Sequence, residues 1–457
     1  MSNSHRPPSR PVFWASALTS CLLLGACATT QGNAAGGASD AERGIALLRD
    51  GQAEASLVHL GRAHAAAPDD LDLARALTEA QVRAGRTSTF LDELSRRPST
   101  PVVQYMRGLA LFTRAADAAG PAIDAFRAAA EGAPGRAELH HRLGVALLES
   151  EQVSEALEPL KQAVTLEPQT ARFRLPLAKA LAQAGAREEA IAQLNALVRA
   201  EPPPSARDVE TARKLMDLVA DPYGTLPASV RPKIEEALSS LQERDQPQPA
   251  IVAFEEVLRD FPDLAVVHAL VGLAWLRLDD AGRAIERLTR AAELAPWDGH
   301  NRFYLGNVYA ARQRKAQAVE EWRRAVALHP LLDEAWIGIG SAAMENGALD
   351  EAAEAFRIAA ALDQKNPMVF GRLAAAHHLA GRTAEAERAL DRALALAPDS
   401  ADINLSMGLL LVERAATLRG EARAPVAERA RTLLQKVLTL QPDNLAASKA
   451  LEQLTAR

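Results

Sequence analysis

One pattern, repeated in an unbroken frame, restricts this chain more than any other feature of its sequence. Between Val266 and Phe356 the glycines Gly272, Gly306 and Gly340 stand 34 residues apart. So do Ala284, Ala318 and Ala352, then Leu288, Trp322 and Phe356, then Ala291, Ala325 and Ala359, while Pro296 and Pro330 close the first two units. An ordinary amphipathic bundle has no reason to keep a fixed frame, whereas a stack of like supersecondary units does. Each unit reads as two antiparallel helices joined by a short turn. Gly272, Ala284 and Ala291 sit where the two helices pass closely, because a larger side chain would push the axes apart. Val271, Trp275 and Leu288 fill the space between them. Proline ends the second helix, since it lacks an N–H and disfavours helix in the residue before it. Asp279 and Asp280, ahead of Gly282, supply the turn. One such unit cannot bury its apolar face alone, so neighbours stack into a superhelix with a concave inner surface.

The register of Gly at position eight, Ala at twenty, a large apolar residue at twenty-four, Ala at twenty-seven and Pro at thirty-two resembles the tetratricopeptide repeat. The resemblance implies an all-α fold, a superhelical solenoid of about 11 helix-turn-helix units in two arrays. A first array is expected over residues 41–204, with a clean unit around Leu143, Gly144, Ala156, Leu160, Ala163 and Pro168. The unit around Gly108 and Ala122 is two residues long in that interval. The frame then breaks at 205–230, where a helix over Arg207 to Val219 is followed by Asp-Pro-Tyr-Gly-Thr-Leu-Pro at 221–227, a breaker density that marks a loop. This segment reads as a hinge or an insertion. A second array is expected over 231–444; its last unit reaches Pro442 ten residues late, so its first helix runs long or its internal loop protrudes. Residues 445–457 read as a capping helix over the last apolar face.

The amino terminus carries an address. Arg6 and Arg10 precede an apolar run from Val12 to Leu24, too short for a transmembrane helix. A positive start, a short apolar stretch and small residues before a cleavage point make a secretory signal, expected over residues 1–26. The ending Leu23-Leu24-Gly25-Ala26-Cys27 resembles the bacterial lipobox. That resemblance implies lipidation of Cys27 as the first residue of the mature chain, with two or more acyl chains giving stable anchoring. Ala28 after Cys27 would favour the outer membrane under the enterobacterial sorting rule. Residues 27–40, rich in Ala, Gly, Thr and Ser, read as a flexible tether.

Composition narrows the chemistry. The cysteines are Cys21, inside the signal, and Cys27, so the mature repeat region has no thiol for a disulfide or metal site. Loss of Arg6 and Arg10 leaves 50 basic against 58 acidic side chains, a net −8, which argues against nucleic acid as the main partner. The paired histidines His140-His141 and His377-His378 point about 100° apart on a helix and cannot chelate as a pair. His-Glu-x-x-His, a phosphate loop and a Gly-x-Ser-x-Gly elbow are all absent. Glu188-Glu189, Glu320-Glu321 and Glu351 with Glu354 read as surface charge. No enzyme activity, cofactor or metal is expected.

Positions two, five, nine and twelve of each first helix line the concave face in the family the chain resembles. They place His141 and Val145 in the fourth unit, with Glu138 and Leu148. In the clean units of the second array they place Leu273, then His300, Phe303 and Asn307, then Ile337, Ser341 and Met344. Mixed apolar and polar lining suits an extended peptide or a partner helix. Phe303, Tyr304 and Asn307 form a candidate contact cluster, since aromatics make up only 4% of the chain. A lysine–asparagine clamp for a terminal carboxylate is not supported, because Phe303 stands where the lysine would be. Anchor and array together resemble outer-membrane lipoproteins with these repeats that help assemble pilus or secretion secretins, or that dock peptidoglycan enzymes. Periplasmic components of exopolysaccharide synthesis or export are the alternative.

Overall fold

A computed structural model of the protein describes residues 39–113, 119–219 and 226–455. The expected signal, Cys27, the tether up to residue 38 and most of the 221–227 loop lie outside the described residues. Among the described residues there are 24 α-helices and no β-strand, and no helix is long and apolar enough to cross a membrane.

The helices pair in sequence into eleven hairpins. Contacts divide the chain between Pro168 and Gln169 into two compact units. Unit 1 holds four hairpins: α1 (Asp40–Arg49) with α2 (Ala53–Ala66), α3 (Leu71–Arg83) with α4 (Thr87–Ser95), α5 (Pro101–Phe112) with α6 (Ala119–Gly132), and α7 (Ala137–Glu149) with α8 (Val153–Leu166). It opens on a capping box, in which the Ser39 hydroxyl accepts from the Glu42 N–H at 3.2 Å and the Glu42 carboxylate from the Ser39 N–H at 2.8 Å.

Unit 2 begins with α9 (Ala171–Gln183) and α10 (Arg187–Val198), followed by α11 (Ala206–Val219), which belongs to no hairpin. Six further hairpins follow: α12 (Arg231–Gln242) with α13 (Pro247–Asp260), α14 (Ala265–Arg277) with α15 (Ala281–Leu294), α16 (Gly299–Ala311) with α17 (Lys315–Leu328), α18 (Asp333–Glu345) with α19 (Leu349–Leu362), α20 (Pro367–Leu379) with α21 (Thr383–Leu396), and α22 (Ala401–Thr417) with α23 (Arg423–Leu440). Helix α24 (Leu445–Thr455) then packs on both α22 and α23.

The repeated glycine explains the hairpin. A Cβ added to Gly144 would lie 2.4 Å from Leu160, and one added to Gly306 would lie 2.6 Å from the Trp322 indole. Gly44 with Leu60, Gly108 with Phe126, Gly272 with Leu288, Gly340 with Phe356 and Gly408 with Leu434 repeat the arrangement. The large side chain of the second helix thus lies flat against the bare backbone of the first, and two helix axes can approach to contact. The extra residues of the last hairpin lengthen both of its helices, to 17 residues in α22 and 18 in α23, and add a short 3-10 turn at Gly420–Ala422.

Among the described residues, the turn within a hairpin takes one left-handed residue. Gly51, Gly85, Gly185, Gly347 and Gly381 supply it, but Glu151 (φ 61°), Asp279 (φ 59°) and Gln313 (φ 58°) hold the same place with a side chain. Left-handed backbone costs a non-glycine residue about 1–2 kcal/mol, partly offset by glycine's greater entropy loss on folding. Glu151→Gly and Gln313→Gly are each expected to stabilise their hairpin by about 0.5–1 kcal/mol. Urea melts followed by circular dichroism check this, and a lowered midpoint in both variants would remove the strain argument.

Candidate functional site

Several neighbouring first helices touch, α1 with α3, α3 with α5, α14 with α16 and α20 with α22, whereas neighbouring second helices make no comparable contact among the described residues. Each stack therefore curves with its first helices inside. On the inner face of unit 2, Leu273 of α14 and Ile337, Ser341 and Met344 of α18 are half-buried. The Ser341 hydroxyl donates to the Ile337 carbonyl at 2.8 Å and accepts from Arg372 at 2.9 Å, which ties α18 to α20.

The α16 cluster is more enclosed than its neighbours. Phe303 is only 8% exposed, with its ring 5.5 Å from that of Tyr304, so it walls the groove rather than projecting into it. The Asn307 carbonyl oxygen accepts from the Trp322 indole N–H at 2.8 Å, a bond within its own hairpin. His300 is half-buried. Its Nδ1 lies 3.2 Å from an Asp298 carboxylate oxygen that also caps α16, and its ring meets that of His329 edge-on at 4.7 Å. Burial, and then the neighbouring His300, pull the His329 imidazole down from 6.5 to about 4.

The same positions continue past the residues that sequence reasoning singled out. Met368 of α20 is 55% exposed and Leu409 of α22 is 37% exposed. Ala375 is exposed between them, and a Cβ on Gly371 would meet nothing within 4 Å. The 34-residue frame points to these residues too: Met368 follows Glu334 by one repeat, and Leu409 directly follows the position-eight glycine Gly408. The inner face of unit 2 thus carries apolar side chains from Ile337 and Met344 to Leu409, interrupted by the Ser341–Arg372 pair, with the small residues Gly371 and Ala375 in this strip. Methionine at such a strip adapts to different apolar shapes.

Unit 1 presents different chemistry at the same positions. His141 is buried and Val145 half-buried on α7. Beside them the Tyr105 hydroxyl donates to Glu138 at 3.1 Å, Arg142 Nε donates to the same carboxylate oxygen at 2.8 Å, and Arg83 pairs with buried Glu79 at 2.5 Å. Burial raises the Tyr105 hydroxyl well above its ordinary value, and burial likewise raises the Glu79 carboxyl against the pull of Arg83, Arg75 and Arg142. These charges are largely shielded from solvent and paired, Arg83 with Glu79 within α3, and Tyr105 of α5 and Arg142 with Glu138 of α7. Among the described residues no group of three or more His, Cys, Asp or Glu side chains could hold a metal ion.

Two family models described as tetratricopeptide repeat match this chain, one over residues 303–367 and the other over 147–213 and 343–410. No curated protein matches. Solved structures similar to it include YrrB, described as a TPR protein with an unusual peptide-binding site, at 18% identity and TM-score 0.39, over 44% of this chain and 98% of that one. PilW, described as a widely conserved type IV pilus biogenesis factor, is 16% identical with TM-score 0.38, over 50% of this chain and 100% of its own. PilF of Pseudomonas aeruginosa is 17% identical with TM-score 0.39, over 48% of this chain and 94% of its own. The repeating hairpins, and the segments that the family models match, make the described residues an all-α tetratricopeptide-repeat solenoid.

Proposed function

We propose that this solenoid is a non-catalytic scaffold, anchored by lipid at Cys27 to the outer membrane and facing the periplasm, that holds a protein partner in the inner groove of unit 2. The apolar side chains on this face, Ile337 and Met344 half-buried and Met368 and Leu409 exposed, carry this reading. A monomeric surface gains nothing by leaving large apolar side chains in water on one face, so such a face marks a contact surface. Its mixed apolar and polar lining suits an extended segment or an amphipathic helix that presents its apolar face. The lipobox-like run ending at Cys27 and the acidic net charge support an envelope setting with a protein partner. The role proposed is that of an assembly or adaptor factor for envelope machinery: a pilus or secretion secretin, or peptidoglycan enzymes.

The test uses the full chain in its own cell envelope. A photo-crosslinking residue at Met368 or Leu409 is expected to capture one dominant protein from the membrane fraction, and the same residue at Arg290, on the outer face, to capture none. Met368→Asp with Leu409→Asp should lower that capture about tenfold or more, as loss of central apolar contacts does. Cys27→Ala should move the protein out of the membrane fraction. Equal capture from inner and outer positions would overturn the groove as the site. Capture of polysaccharide-synthesis proteins would move the scaffold to polymer export.

A further inference from the structure

The outer face of α19 breaks the rule that the rest of unit 2 obeys. Arg290, Arg324 and Arg392 occupy one position of the 34-residue repeat, and all three are exposed. Their equivalent in α19 is Ile358, which is 0% exposed. Three residues on, Glu293, Ala327 and Ala395 are exposed where Ala361 is buried. The stack alone cannot bury these positions, because the same positions lie open in its other hairpins. Something covers these two positions of α19 that leaves them open in α15, α17 and α21.

That cover is the chain's own segment from α10 to α11, which contacts α17 and α19. Its path is marked by bonds that span the sequence. Arg187 lies 5.5 Å over the Trp297 ring, Asn195 donates to the Ala327 carbonyl at 3.4 Å, and the Arg199 guanidinium lies 5.1 Å over Trp336. Arg357 donates to the Arg199 carbonyl at 3.4 Å, Gln364 to that of Pro204 at 3.0 Å, and Arg213 to that of Leu362 at 3.1 Å. The segment thus runs lengthwise along two successive hairpins and reaches the loop that begins a third. Between α10 and α17–α19 the packing stays incomplete, leaving a cleft of about 480 Å³ over Trp336 and Ile339.

We propose that α10 and α11 form an internal clasp, which fastens the start of unit 2 to the outer face of its α17–α19 hairpins and so holds the curvature of its inner groove. A solenoid bends by small rotations between neighbouring repeats. A tie between hairpins far apart in sequence removes that freedom, and releasing it lets the groove widen or flatten. The clasp therefore adjusts the surface proposed above for the partner, and this last step rests on that reading; the clasp itself does not.

The deciding variant is Ile358→Arg with Ala361→Glu, which gives α19 the residue types that α15 carries at the same places, so the hairpin can fold while charge lies under the clasp. In full-length protein without any partner, amides of residues 187–219 are expected to exchange hydrogen about tenfold faster or more, with α14–α17 and α20–α23 unchanged. Arg213→Ala with Gln364→Ala, which adds no charge, should give a smaller rise in the same segment. Spin labels at positions 179 and 375, in a chain with Cys21 and Cys27 replaced by Ser, should show one narrow distance in the parent and a shifted, broader distribution in the Ile358→Arg, Ala361→Glu variant. Unchanged exchange at 187–219 would overturn the clasp. Loss of protection throughout α16–α21 would overturn it as well, by making the segment part of the core. Faster exchange with an unmoved label distance would overturn its hold on curvature. Partner capture fails or succeeds separately from all three.

Discussion

Replacing Phe356 with alanine is expected to remove about 3–5 kcal/mol from the stability of its hairpin, the cost of deleting a buried aromatic side chain. Phe356 is 1% exposed, and its ring lies against the backbone of Gly340. Gly340→Ala should cost about 1–3 kcal/mol by overpacking, because the added Cβ would stand 2.8 Å from the ring. The two substitutions act on the same space, so they should not add. In the double variant the new methyl enters the volume that the ring has left, and the combined loss should fall below the sum by about 1 kcal/mol or more. Denaturant midpoints of the four proteins provide the cycle. Strict additivity would mean that the glycine is not kept for the ring, and the explanation of the repeat's register would fail with it. Because each repeat leans only on its neighbours, the loss should show first as an early transition in the α18–α19 region rather than as uniform weakening.

The second large effect is on pH. Folding holds His329 neutral, at about 4 against an ordinary 6.5, chiefly because the imidazole is buried. As the pH falls below 6.5 the unfolded chain takes up this proton before the folded chain does, so the equilibrium shifts toward unfolding. The contribution is fully present above pH 6.5, is lost as the pH falls, and levels off below about 4. Between pH 7 and 4.5 this one group should cost unit 2 about 2–3 kcal/mol. The groups around it are Asp298 and His300 at the start of α16 and Arg213 from α11; the first favours the imidazolium and the other two oppose it. His329→Ala should remove this part of the slope, and alanine suits the place because Ala295 holds it in the preceding repeat and Ala397 two repeats on. Midpoints at both pH values for parent and variant give the comparison. Parallel slopes would exclude His329 as the acid-sensitive group, leaving His268 and His377, which burial also depresses.

Much of the inner face could be read from the frame alone, but not what each side chain does there. Position nine put Asn307 on that face, yet its carbonyl oxygen is engaged by the Trp322 indole, an interaction that depends on a tryptophan occurring where other repeats have leucine or phenylalanine. Position five put Phe303 there too, and the packing of Tyr304 beside it leaves it almost covered. Met368 and Leu409 are the more open residues, and they follow from the same count once it is carried through the less regular units.

The sequence by itself determined the hairpin and its 34-residue repeat. It could do so because the contacts that make a hairpin join residues a short, fixed distance apart, sixteen positions for Gly340 and Phe356, and recur at that spacing in most of the units that carry the glycine. The tertiary structure alone decided where α11 goes. The Arg213 bond to Leu362 spans 149 residues and the Gln364 bond to Pro204 spans 160, and neither recurs. An interaction made once leaves no period to read. Its trace is an isoleucine at 358 where the neighbouring repeats carry arginine, beside an alanine at 361 that is buried where theirs are exposed, and only the folded stack, which brings α11 onto α19, gives that burial a reason.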